Sequence, residues 1–118
     1  RQMCIRDRDT ALIHLTDWEP LNRTVPSKTY ELMSLGVHTT AVVQGEAARI
    51  VENLGAGIVV PPENPEALAE AWTTLIDDRS KLTVSPSGRE WVATQRDEVV
   101  PEAFLGIVTT VTRQQTKA

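Results

Sequence analysis

A single cysteine stands among the 118 residues. No disulfide can therefore close within the chain, and a reducing compartment, the cytoplasm, is the expected location. No apolar run approaches the ~18–20 residues that span a bilayer, and no secretory leader pattern is present. A basic stripe is missing too. Lys and Arg number 12 against 16 Asp and Glu, and the net charge of -4 argues against nucleic acid as a partner. Internal repeats and low-complexity tracts are absent. The adjacent acids Asp77 and Asp78 have no histidine or third carboxylate beside them, which makes a poor metal site. What is present is a hydrophobic content of 41% with both charge signs, the composition of a globular chain rather than a disordered one. Its length suits one domain with a core, not two.

The first eight residues differ from the rest. They hold the cysteine, Cys4, and show neither a helical nor a strand period. The string Met3-Cys4-Ile5-Arg6-Asp7-Arg8 resembles a translated sequencing-adapter remnant, so residues 1–8 are set aside as a non-native tail. The alternative is a basic N-terminal arm.

From there the chain alternates strand and helix. Ala11–Leu15 is a short apolar run that fits a buried strand, and Thr16–Thr24, with Pro20 and Asn22, is a loop. Ser27 is placed to cap a helix over Lys28–Leu35, with Gly36 as its left-handed terminator. His38–Val43, with its Thr and Val pairs, reads as a second strand. Gly45 opens a second helix with an apolar stripe of Ala47, Ile50, Val51 and Leu54, ended by Gly55. Gly57–Val60 is a third strand. Asn64 caps a third helix with Pro65 at its first position and Leu68, Ala71, Trp72, Leu75 and Ile76 inward. Beyond Asp78 a short helix is predicted over Arg89–Thr94. Pro101 begins a last helix with Phe104, Leu105, Val108 and Val111 as its buried face.

The β-α-β-α-β-α order implies an α/β fold with a parallel sheet and right-handed crossovers. Three strands are few for a doubly wound sheet, so residues 9–95 read as a partial Rossmann-like α/β/α domain, its second half, and residues 96–118 as a C-terminal helix.

Open α/β sheets bind ligands at the carboxyl ends of their strands. That edge carries the loop after the first strand, then Pro26, Ser27, Lys28 and, one turn in, Glu31. Helix N-termini hold phosphates through backbone N–H groups and dipole, and a carboxylate set one turn inside can accept from sugar hydroxyls. Cap, helix and offset carboxylate together suggest a nucleotide-sugar site. The plainer reading makes Ser27 only a cap and Glu31 a solvated side chain. Gly45 and Glu46 start the next helix on the same edge, where Glu46 either takes part in the site or compensates the helix dipole. Trp18 is a rim aromatic or a stacking surface, His14 a core histidine, and Trp72 and Trp91 packing residues.

The stretch Val25-Pro26-Ser27-Lys28-Thr29-Tyr30-Glu31-Leu32-Met33-Ser34-Leu35-Gly36 is similar to the P-S-K-x-x-E-x-x-A-x-G element of family 4 glycosyltransferases. The likeness continues through Gly45–Val51, Gly55–Pro62 and Asn64–Ala69, and Gly88–Val92 resembles the later G-R-x-[FW]-V element. Within the family the nearest look is to bacterial amino-sugar transferases of O-antigen and capsule synthesis. The resemblance implies the C-terminal donor-binding part of a GT-B fold. It implies retaining transfer of a sugar from a nucleoside-diphosphate donor, UDP-linked, to a glycan or lipid-linked acceptor. No cofactor or tightly held metal is implied, and a lipid-linked acceptor would place the parent enzyme at the inner face of the membrane. Glu31 corresponds to the second glutamate of the family's pair, which holds the donor ribose. Ser27 and Lys28 fall where the helix meets the diphosphate. Arg23 stands where the first glutamate belongs, so the pair is incomplete; Glu19, in the same loop, is a weak candidate to replace it. Tyr30 and Leu32 support the loop. The cationic grip and acceptor domain of the family lie upstream, so this chain alone is expected to be inactive. A non-catalytic nucleotide-sugar or phosphate-binding module is the alternative. A sugar-nucleotide epimerase would need acid–base carboxylates and a histidine at the cleft, and the mapped region offers no clear set.

Overall fold

The computed structural model describes residues 7–117. Cys4 and most of the set-aside tail lie outside the described residues.

Three four-residue strands, β1 (Ala11–His14), β2 (Thr39–Val42) and β3 (Gly57–Val60), form a parallel sheet in the order β1-β2-β3. Ala11 is level with Thr39 and Thr39 with Gly57, so one row of side chains runs across all three strands. Gly57 is required in that row, since a Cβ there would lie 1.8 Å from the carbonyl oxygen of Thr39. β2 is central and buried along its whole length, as expected of a parallel strand covered on both faces.

The alternation of side chains sorts the core. Ile13 and Ala41 face the side packed by α1 (Ser27–Leu35) and α2 (Glu46–Asn53), where Leu32, Met33, Val43, Ala47 and Val51 complete the buried cluster. Thr40 faces the opposite side and accepts a 3.1 Å hydrogen bond from Nε1 of Trp72 on α3 (Pro65–Asp77). Helices thus lie on both faces of the sheet.

Local signals in the sequence set most boundaries. Gly36 adopts φ 69° and its N–H reaches the carbonyl of Met33, closing α1 in the left-handed form. Asn64 Oδ1 accepts from the Ala67 N–H at 3.0 Å, and Pro65 fills the first turn of α3.

Four expectations are corrected. Ser27 does not cap α1: Pro26 occupies the N-cap position and its carbonyl accepts from Thr29 N–H at 2.9 Å, leaving Ser27 as the first helical residue. The fixed extended geometry of Pro26 (φ -58°, ψ 135°) makes it the last non-helical residue. His14 is exposed rather than in the core, because it points from the edge strand β1 to the thinly covered face. On α3, Leu75 is buried but Ile76 is exposed, since three strands present too narrow a face to cover the helix end.

The fourth correction concerns the last helix. α4 (Ser87–Thr94), a π-helical segment (Gln95–Val99) and α5 (Val100–Thr116) follow one another without a break. Every residue from Arg96 to Lys117 is exposed, Phe104, Leu105, Val108 and Val111 included. The helical period of the sequence is real, but the expected buried face meets nothing among the described residues. The π segment lies just before Pro101, which brings no N–H to the helix ladder.

Candidate functional site

In a parallel sheet every helix that follows a strand starts at the same edge. β1 leads through the loop at 15–26 to α1, and β2 leads through Val43–Gly45 to α2, so both helix N-termini open on the carboxyl edge. That edge carries all six candidate residues: Pro26, Ser27, Lys28, Glu31, Gly45 and Glu46.

The two connections are locked together. Gln44 Nε2 donates to Asp17 Oδ1 at 2.5 Å. Gly45 has φ 76°, and a Cβ there would lie 2.2 Å from the carbonyl oxygen of Asn22. Only glycine allows the loop of β1 to lie so close to the start of α2. The role of Gly45 in this geometry is therefore close approach. Within the loop, Glu19–Arg23 forms a 3₁₀ turn, with Arg23 Nη2 3.7 Å from Glu19 Oε1. Arg23 and Glu19 are thus paired with each other in the exposed loop.

Each candidate carboxylate has a cationic neighbour one turn away. Lys28 Nζ lies 2.6 Å from Glu31 Oε2, and Arg49 Nη2 lies 2.6 Å from Glu46 Oε2. Both pairs are solvent-exposed, and no hydrogen bond or ion pair joins one to the other among the described residues. Ser27 is exposed as well, so the site is an open edge. α1 begins with no side-chain cap and no acid in its first turn, whereas α2 and α3 begin with Glu46 and Glu66. The Thr29 N–H of that turn is taken by the Pro26 carbonyl, which leaves the Ser27 and Lys28 N–H groups suited to an anion.

Tyr30 turns away from the edge and stacks on Trp91 of α4, with ring centroids 5.9 Å apart and planes at 21°. Both rings support α1 from behind and line a cavity of about 420 Å³ with Val92, Gln95, Arg96 and Val100. Trp18 is exposed in the loop. Among the described residues no group of three or more His, Cys, Asp or Glu gathers as a metal site would require. No helix there is long and apolar enough to cross a membrane.

Sequence reasoning placed His38 at the start of the second strand and gave it no role. It is buried immediately before β2, and its Nδ1 lies 2.7 Å from Thr10 Oγ1, which also meets Thr40 Oγ1 at 2.8 Å. With the Trp72 bond to Thr40, this chain of contacts ties β1, β2 and α3 at the amino edge, far from the candidate site. Burial lowers the pKa of His38 below its ordinary 6.5. The available signal was its position immediately before the β-branched run Thr39–Val43, which reads as a strand.

The fold and edge define a small α/β unit with a three-stranded parallel sheet and an open, polar carboxyl edge. Comparison with protein-family models, with curated proteins and with solved structures finds no match to this chain.

Proposed function

We propose that this chain is the donor-binding part of a retaining glycosyltransferase of the GT-B type, taking a nucleoside-diphosphate sugar, UDP-linked, and passing its sugar to a glycan or lipid-linked acceptor. The observation that carries the reading is the first turn of α1. It is uncapped, lacks an acid, and carries Lys28 beside Glu31 at the carboxyl edge of a parallel sheet. The sequence blocks from Val25 to Ala69 that resemble family 4 glycosyltransferases fall on the strands and helices that form this edge, and Gly88–Val92 falls on α4, packed behind α1. The three strands stand for the second half of the Rossmann-like donor domain.

In this reading the diphosphate lies against the N–H groups of α1 and near Lys28, and the ribose hydroxyls donate to Glu31. The departing diphosphate gains charge as the glycosidic bond breaks, and the fixed dipole of α1 stabilises it without reorganisation. The larger cationic contribution and the acceptor groups come from an upstream part of the parent protein.

Titration of the 118-residue chain with UDP, followed by amide chemical shifts, tests the reading. The expected shifts concentrate at Ser27–Glu31 and Gln44–Ala47, and the chain shows no sugar transfer by itself. Absence of shifts up to about 5 mM UDP, or robust turnover by this chain alone, overturns it.

A further inference from the structure

We draw no further inference here: the strongest candidate, the apolar surface patch between α3 and the edge strand β1, where Leu12, Trp72 and Ile76 stand exposed beside two open cavities, is an unpartnered face, and nothing in the structure shows what covers it.

Discussion

Three residues carry separable consequences. Glu31, where it holds a ribose, accepts hydrogen bonds that a charged acceptor makes worth about 1.5–3 kcal/mol. In the parent enzyme Glu31→Ala should therefore raise the donor KM about 10- to 100-fold, and unchanged donor kinetics would make Glu31 a solvated side chain. Gly45 acts through space rather than chemistry. Gly45→Ala forces a left-handed Cβ against the Asn22 carbonyl and should cost about 1–3 kcal/mol in urea denaturation, with amide shifts spreading into Asp17–Arg23. A loss of binding without loss of stability would instead assign Gly45 to ligand contact. His38 sets a pH dependence. Its folded pKa lies below the unfolded value of 6.5, so the unfolded chain binds more protons in between. The resulting stability is fully present above pH 6.5 and is lost as pH falls through the folded pKa. Urea midpoints should fall from pH 7.5 to 5.5, and the fall should shrink in His38→Gln.

At the scale of elements, the helix starts separate local from borrowed stability. α3 has a capping asparagine and a proline in its first turn, and both were legible because a cap is a local chemical preference. Asn64→Ala should cost about 1 kcal/mol in thermal denaturation. The start of α1 was less legible. Pro26-Ser27 reads as a serine cap, but the proline's own geometry takes the N-cap position and leaves the serine no capping hydrogen bond. Adding an acid there tests what the uncapped turn is for. Ser27→Asp should stabilise the chain by about 0.3–1 kcal/mol through the dipole while weakening UDP, because a fixed carboxylate occupies the ground of the diphosphate. Stabilisation with unaltered UDP binding would detach the helix start from the site. The three strands, the order of elements and the left-handed Gly36 were likewise readable, since period and glycine placement are local. The π segment before Pro101 was not, because hydrophobic period does not distinguish one extra residue in a turn. Nor could sequence reveal that His14 on β1 faces outward, a matter of which neighbours flank the strand.

Across the whole molecule the radius of gyration is 17.7 Å, against about 13.5 Å for a compact chain of this length. The excess comes from the continuous rod of α4, the π segment and α5, and the long axis reaches 64 Å. Amphipathic period told that α5 has an apolar stripe, but it cannot tell what the stripe meets. That distinction has an energetic signature. Phe104 is 67% exposed and Leu32 is 1% exposed, so the larger side chain should matter less. Phe104→Ala should change the unfolding free energy by no more than about 0.5 kcal/mol, whereas Leu32→Ala, which empties the space between α1 and the sheet, should cost about 2–5 kcal/mol. Urea denaturation at low protein concentration makes the comparison. A cost for Phe104→Ala approaching the 3–5 kcal/mol of a buried phenylalanine would mean that α5 folds back onto the sheet domain in solution. The same cost seen only as concentration rises would mean that the stripe is covered by another copy. The order Leu32 far above Phe104, independent of concentration, is the result the exposed rod requires.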